Sequence, residues 1–126
     1  MTTDVIPDDV RRLILERIDS VPELEAILLF HEDPRREWTP EAAGRRLYVS
    51  TTVAGHVLGV LCERGFFTPS GDGYRYAPES SQLGEIVDRL AIAYSRHLVA
   101  VTQMIHSKPS QNLRDFVEAF RIRKPK

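Results

Sequence analysis

The sequence predicts a mainly α-helical domain with one small β-hairpin, built around two short helices joined by a tight turn. Three observations support this fold class. Apolar residues recur at helical spacing through most of the chain, helix-start residues precede these runs, and one glycine-containing segment, "TPSGDGYRYAP", marks a hairpin. We expect one domain: a core with the hairpin at residues 20–78, flanking helices at residues 1–19 and 80–121, and a basic tail at residues 122–126.

Composition excludes several classes of protein. Cys62 is the only cysteine and cannot form an internal disulfide, and the acidic start lacks the basic and apolar regions of a signal peptide. No window reaches the roughly 18 uninterrupted apolar residues of a membrane helix, because Arg89, Arg96 and His97 interrupt the longest candidate. We therefore expect a cytoplasmic protein that does not span a membrane.

Charge is distributed unevenly along the chain. Residues 1–37 hold ten acidic and five basic side chains, whereas residues 79–126 hold five acidic and eight basic ones. Such an asymmetry can orient a molecule near a polyanion, but it is far from the strongly basic balance that argues for nucleic acid unaided.

Two helices are predicted before the central motif. Pro7 followed by two aspartates is typical of a helix start, because the unpaired amides and the helix dipole favour carboxylates there. This helix is expected to end at about Asp19. Ser20 can cap a second helix, which ends at Asp33 before a proline.

The central segment predicts a short helix, a tight turn and a second helix. Thr39 caps the first of these helices, which ends at Tyr48, and Ser50 caps the second. Gly65 is a natural left-handed stop for the second helix. The inner stripe of that helix is predicted to be Val53, Val57 and Leu61.

A small β-hairpin, or wing, follows. Asp72-Gly73 is a strong hairpin signal, because both central positions of the turn it favours need positive φ. On the return strand Arg75 points to the side opposite Tyr74 and Tyr76.

From residue 80 or 81 the apolar residues follow a nearly heptad pattern over about 25 residues, which predicts one long helix. Its seam packs on the first helix of the same chain, faces the same helix of a second copy, or does both; we favour both and expect a homodimer. The seam residues are Leu83, Val87, Leu90, Tyr94, Leu98, Val101 and Ile105. Pro109 ends this helix, and Ser110 caps a last one before the basic end "RIRKPK".

The segment "LEAILLFHEDPRREWTPEAAGRRLYVSTTVAGHVLGVLCERGFF" follows the run "lLxxL", "tpeelArrL", "vS", "tV", "vLxxLxerGf". With this order of elements, the chain resembles the MarR-type winged-helix transcriptional regulators over nearly its whole length. The resemblance implies a recognition helix in the DNA major groove, a wing on the backbone or minor groove, and terminal helices that form a twofold dimer. It places Arg75 on the wing. The outward positions of the recognition helix are, by the same resemblance, Thr51, Thr52, Gly55 and His56.

The recognition helix departs from the family pattern. His56 stands where many relatives carry arginine, Val60 stands at a usually polar position, and the charged "DxR" wing motif is missing. Bidentate base reading by Arg, Lys, Asn or Gln supplies about 1 to 3 kcal/mol of discrimination per pair, and residues 50–63 contain none of these types. The helix therefore either contacts phosphates and thymine methyls weakly, or keeps the fold without reading bases.

Phosphate contacts are the expected source of any DNA affinity. Gly55 and Gly59 leave one strip of the helix without side chains, which suits close approach of a DNA backbone, another helix or the chain's own tail, chance being the alternative. The basic tail either lies along phosphates or is a frayed, soluble end. Phosphate contact, with solvated surface charge as the alternative, is assigned to Arg45, Arg46, Arg64 and Arg75.

No catalytic or metal site is indicated. The four histidines show no i, i+4 pairing and no cysteine at metal spacing. Cys62 is interpreted as a buried small hydrophobe, with a redox-sensing thiol as the alternative. The sequence thus predicts no enzyme and no cofactor, but a dimeric regulator that binds duplex DNA mostly through phosphates. The alternative is a winged-helix protein–protein interaction module that has lost DNA binding and receives a partner on the bare glycine strip.

Overall fold

The computed structural model describes residues 6–108, so the predicted last helix and basic tail lie outside the described residues. Six helices and two strands occupy this range: α1 (Asp8–Arg17), α2 (Val21–Glu32), α3 (Pro40–Leu47), α4 (Thr51–Glu63), β1 (Phe67–Ser70), β2 (Gly73–Tyr76), α5 (Ser81–Arg96) and α6 (Leu98–His106). The predicted fold class, mainly α-helical with a small hairpin, is confirmed. No helix within residues 6–108 combines the length and the apolar character needed to cross a membrane.

Local capping fixes where four of the helices begin. Ser20, Thr39, Ser50 and Ser80 each accept a hydrogen bond, through the side-chain oxygen, from the amide three residues further on, at 3.0 to 3.2 Å. Each bond satisfies an amide that the helix itself leaves unpaired. The predicted starts of α2, α3, α4 and α5 are therefore confirmed.

The tight turn between α3 and α4 depends on two special positions. Tyr48 adopts the left-handed conformation, with φ 61° and ψ 41°, and its side chain is 93% exposed. Gly44 lies where the two helices approach, since a Cβ at this position would be 2.8 Å from the carbonyl oxygen of Val49. The break predicted at Tyr48 is confirmed, while the close packing at Gly44 was not predicted.

The end of α4 is a Schellman motif. Gly65 has φ 94°, its amide donates to the carbonyl of Cys62 at 3.1 Å, and the amide of Phe66 donates to that of Leu61 at 3.0 Å. The left-handed stop predicted at Gly65 is confirmed, and it directs the chain from α4 into β1.

The hairpin forms, but its turn lies one residue earlier than predicted. Ser70 pairs with Gly73, which leaves Gly71 and Asp72 as the loop. In this loop only Gly71 has a positive φ, 57°, which is typical of a type II′ turn. Gly73 is required for a different reason: a Cβ there would overlap the backbone carbonyl of Trp38. The predicted Asp72-Gly73 turn was therefore wrong.

Trp38 is joined to the hairpin by an isolated antiparallel bridge to Tyr74. Its amide donates to the carbonyl of Tyr74 at 2.8 Å, and the amide of Tyr74 donates back at 3.0 Å. The Trp38 ring stacks on Phe30 of α2, with centroids 5.9 Å apart, and Phe30 stacks on Phe67 of β1 at 3.9 Å. These contacts join the wing to α2.

The single long helix predicted from residue 80 or 81 was wrong, because it is interrupted at His97. This residue has φ −137° and ψ 53°, outside the helical region, so α5 ends before it and α6 begins after it. The break lets α6 pack against α1 as well as α5. A heptad pattern cannot distinguish one continuous seam from two shorter stripes that meet the same core.

Most of the predicted seam lies in the chain's own core. Leu98 is 50% exposed and Tyr94 is half-buried. The seam residues that are buried within the chain are Leu83, Val87, Leu90, Val101 and Ile105. An ion pair adds to this packing: Nε of Arg89 on α5 donates to Oδ2 of Asp9 on α1 at 2.9 Å, and this hydrogen bond lowers the pKa of the Asp9 carboxyl.

Two smaller expectations also differ from the structure. Helix α1 ends at Arg17, two residues before Asp19, and the ammonium of Lys108 caps this end by donating to the carbonyls of Ile14 and Ile18 at 2.8 and 2.7 Å. Val53, predicted in the inner stripe of α4, is 44% exposed, since Ala54 and Leu58 take the inner face with Val57 and Leu61.

The two glycines at positions 73 and 59 should respond in opposite ways to alanine. We expect Gly73→Ala to lower the free energy of unfolding by about 2 to 4 kcal/mol, because the new Cβ overlaps the Trp38 carbonyl. Gly59→Ala is the matched control: its Cβ would lie 3.7 Å from the Tyr74 hydroxyl, an ordinary contact, so removing a helical glycine should stabilise the fold by about 0.5 to 1 kcal/mol. Urea denaturation followed by circular dichroism measures both changes. Equal effects of the two variants would contradict the close approach at Gly73.

Candidate nucleic-acid interface

The outward side of α4 is where the sequence predicts contact with DNA. Thr52, His56 and Glu63 fall on one strip of the helix, because they are separated by four and seven residues. All three are exposed, as is Thr51 in the first turn. The strip therefore presents hydroxyls, an imidazole and, at its far end, a carboxylate. It offers hydrogen bonds to phosphate but no group that reads a base edge bidentately.

The bare strip of α4 is in contact with the chain itself. A Cβ at Gly55 would lie 3.7 Å from Cβ of Pro40, the first residue of α3, and one at Gly59 would lie 3.7 Å from the hydroxyl of Tyr74 on β2. Both are ordinary van der Waals distances, so neither position requires glycine for space. For Gly55, the neighbour is another helix, which was one of the alternatives left open by the sequence.

The wing carries opposite charges on its outer face. The antiparallel bridge between Trp38 and Tyr74 puts Glu37 directly across from Arg75. The carboxylate of Glu37 accepts a hydrogen bond from the Ser70 hydroxyl at 2.7 Å, and Asp72 is exposed at the tip. This side of the molecule therefore carries one arginine and two acids, which weakens its attraction for phosphates.

The two neighbouring arginines of α3 lie in different surroundings. Arg45 is exposed, and no ion pair joins it to another residue in the range 6–108. The guanidinium of Arg46 lies over the ring of Trp38, with Cζ 5.5 Å from the centroid. Arg46 also lines a groove of about 260 Å³ together with Glu32 of α2 and Tyr94 of α5, so it faces the α2 side of the molecule.

Arg64 does not stand free for phosphate. Its guanidinium donates to the carbonyl of Arg17 at 2.7 Å, to Glu23 Oε1 at 3.0 Å and to Asp19 Oδ2 at 3.1 Å. The other oxygen of Asp19 accepts from the ammonium of Lys108 at 3.0 Å. We call Arg64, Asp19, Glu23 and Lys108 the α1–α4 ion cluster. It ties the end of α4 to the end of α1, which leaves Arg45, Arg46 and Arg75 as the predicted phosphate contacts.

The tyrosines behind the wing are not poised for acid–base chemistry. Burial, reinforced by the carboxylate of Asp88, raises the pKa of Tyr76 to about 12. Burial and the neighbouring carboxylate of Glu25 raise the pKa of Tyr94. Both phenols are therefore neutral at physiological pH.

Histidines and the cysteine form no recognisable chemical site in the described part of the chain. His31 pairs with Asp88 across α2 and α5, Nε2 to Oδ1 at 2.8 Å, and Cys62 is a half-buried free thiol. No cluster of three or more His, Cys, Asp or Glu side chains within residues 6–108 is placed to hold a metal ion.

Comparison with known proteins identifies the fold. No protein-family model matches the chain, and no curated protein matches it either. Among solved structures it is similar to the crystal structure of a MarR family protein from Mycobacterium tuberculosis, with a TM-score of 0.53 and 12% identity over 90% of this chain and 81% of that one. The fold is that of the winged-helix proteins. More particularly, it is a MarR-like winged helix, as the sequence predicts.

The α1–α4 ion cluster predicts that Arg64 acts on stability. We expect Arg64→Gln to lower the free energy of unfolding by about 2 kcal/mol, because it removes the cation that two partly buried carboxylates and a carbonyl share. Arg12→Gln, at an exposed position of α1, is the charge-matched control and should change stability by less than about 0.5 kcal/mol. Chemical denaturation measures both. Unchanged stability of Arg64→Gln combined with weaker DNA binding would instead favour a phosphate contact.

Proposed function

We propose that this protein is a transcriptional regulator that binds duplex DNA as a homodimer, mostly through phosphate contacts and DNA shape. The observation that carries the proposal is the exposed first turn of α4 within a MarR-like winged helix. Thr51 and Thr52 lie there, beside the positive end of the helix dipole. Hydroxyls and amides at a helix N-terminus suit a phosphate group.

Binding by phosphate and shape follows from the side chains available. α4 has no bidentate base reader, and its exposed strip ends in Glu63. Arg45, Arg46 and Arg75 are the predicted phosphate contacts, and Glu37 lies on the segment bridged to the strand of Arg75. Affinity should therefore be modest and sensitive to salt, and preference among sequences should come from the cost of deforming them.

Dimerisation is proposed through the apolar side chains that the fold leaves exposed. Leu98 belongs to the predicted seam and is 50% exposed, and Val99 beside it is 63% exposed. Ile92 on α5 and Leu15 on α1 are exposed by 52% and 50%. A second copy that covers these residues would remove apolar surface from water on the helices that join the two protomers in the MarR-like arrangement.

A protein-interaction module is the second candidate, and one observation favours it. Tyr48 is 93% exposed in a left-handed conformation, and Val53 on the first turn of α4 is 44% exposed. Exposed apolar side chains near the motif suit a protein surface as well as a sugar–phosphate backbone.

A salt titration of binding to duplex DNA tests the leading proposal. Three candidate arginines per protomer give at most six phosphate contacts per dimer, so the slope of log K against log salt should be about −5. Fluorescence anisotropy of labelled duplexes between low and physiological salt measures it. A folded dimer that binds no duplex even at low salt would remove the proposal and leave the interaction module.

Charge changes on the wing should alter affinity without altering sequence preference. We expect Arg75→Ala to weaken binding to all duplexes alike and to make the salt slope shallower by about 2 per dimer. Glu37→Gln should strengthen binding by about threefold at low salt, because it removes the carboxylate across from Arg75.

Glu16→Gln, at an exposed position of α1, is the control for net charge. If Glu16→Gln increased the affinity for duplex DNA as much as Glu37→Gln does, the location of the carboxylate on the wing would be irrelevant. A change in sequence preference alone, with Arg75→Ala, would contradict a phosphate contact.

A further inference from the structure

Two arginines from separate segments each lie near the same aromatic ring. Arg36 comes from the loop between α2 and α3, and Arg46 from the last turn of α3. Their Cζ atoms lie 3.7 and 5.5 Å from the centroid of the Trp38 ring. The two guanidinium carbons are therefore at most about 9 Å apart, close enough for both cations to reach a single small ligand.

This pair of cations has no carboxylate partner in the described part of the chain. No salt bridge within residues 6–108 joins Arg36 or Arg46 to an acid, although Glu25 and Glu32 line the groove beside Arg46. The nearest acid in the sequence, Glu37, bonds the hydroxyl of Ser70 instead. Two like charges over one ring repel each other, and an anion between them would convert that repulsion into attraction.

The ring below the arginines adds an unused donor. Trp38 is 1% exposed, and its indole Nε1 has no hydrogen-bond acceptor among the described residues. A buried donor without an acceptor costs free energy, so its presence indicates that an acceptor from outside the described residues binds there. Because Arg36 is exposed, movement of its side chain can open the ring to a ligand from solvent.

We propose that Arg36, Arg46 and the indole N–H of Trp38 form a binding site for a phosphate-class oxyanion. Guanidinium groups match the oxygen spacing of phosphate, and several oxygens of one group can accept from all three donors. The phosphate comes either from a free phosphate-bearing molecule or from the backbone of duplex DNA; in the second case the site rests on the proposed function. Trp38 is bridged to β2, so the occupied site would lie at the base of the wing.

Trp38 is the only tryptophan, so its fluorescence reports on this site directly. The full chain is titrated with inorganic phosphate and, separately, with duplex DNA, with sodium chloride at matched ionic strength as the ionic control. Binding of labelled duplex is followed independently by anisotropy, and calorimetry measures phosphate binding without reliance on the fluorophore.

The variants Arg36→Gln and Arg46→Gln each remove one donor, and Arg35→Gln is the matched control, since Arg35 is an exposed neighbour without a ring contact among the described residues. We expect a saturable change in Trp38 emission with phosphate or DNA in the parent and in Arg35→Gln. Each of the other two variants should weaken the response about tenfold while unfolding at an unchanged temperature.

The outcomes separate the two ligand sources and the two proposals. A response to inorganic phosphate supports a free phosphate ligand, and a response to duplex alone supports a backbone phosphate. No response to either ligand, or equal responses in Arg35→Gln and the other two variants, would overturn the site. If anisotropy shows duplex binding while the Trp38 emission does not change, the site is overturned and the DNA proposal stays intact. If phosphate binds but duplex does not, the DNA proposal is overturned and the site stays intact.

Discussion

The stack of Trp38 on Phe30, and of Phe30 on Phe67, is the contact on which the rest of the arrangement depends. It joins the segment before α3, helix α2 and the first wing strand through rings 5.9 and 3.9 Å apart. The backbone bridge from Trp38 to Tyr74 then fixes the register of the wing, which requires Gly73 to lack a side chain. This register also places the charged side chains on that side of the molecule. Glu37 lies on the segment bridged to the strand of Arg75, and the indole ring lies near Arg36 and Arg46. A change at the stack would therefore disturb the wing, the start of α3 and the charge pattern together.

Helix α4 is held at both ends, while its exposed face carries no lysine or arginine. At its start, the Ser50 cap and the close approach at Gly44 set the angle to α3. At its end, the Schellman motif at Gly65 and the α1–α4 ion cluster tie it to α1 and, through Lys108, to the end of α6. Variants that remove the contacts at the two ends of α4 should therefore lower the free energy of unfolding. Variants of its exposed face should change the affinity for a binding partner. Because the residues at the ends of α4 and those on its exposed face are mostly different, the effects on stability and on binding can be measured separately.

Features set by neighbouring residues could be predicted from the sequence, and those set by distant pairing could not. The caps at Ser20, Thr39 and Ser50 and the stop at Gly65 depend on a few adjacent positions, so their chemistry is visible in the sequence. The hairpin turn was misplaced because the choice between Gly71 and Gly73 for positive φ depends on Trp38, which lies 35 residues before Gly73. The break at His97 was missed because α5 and α6 keep one apolar spacing across it. In the same way, the sequence shows that Arg64 and Arg46 are charged, but not where their partners lie. The carboxylates that bind Arg64 and the Trp38 ring beside Arg46 are visible only in the structure.

Electrostatics limits how this fold can bind DNA on the proposed function. The cations are divided: α4 supplies none, Arg75 is opposed by an acid, and Arg46 lies over Trp38 on the α2 side. One protomer can therefore neutralise few phosphates, and removal of any one of these cations reduces both the affinity and its salt dependence. A twofold dimer doubles the number of phosphates neutralised and adds a fixed distance between the two recognition helices, which selects duplexes by half-site spacing and bending rather than by base edges. On this proposal, with His56 where many relatives carry arginine, the dimer geometry is the main source of specificity that remains, and the exposed apolar residues of α5 and α6 are as important to recognition as α4 itself.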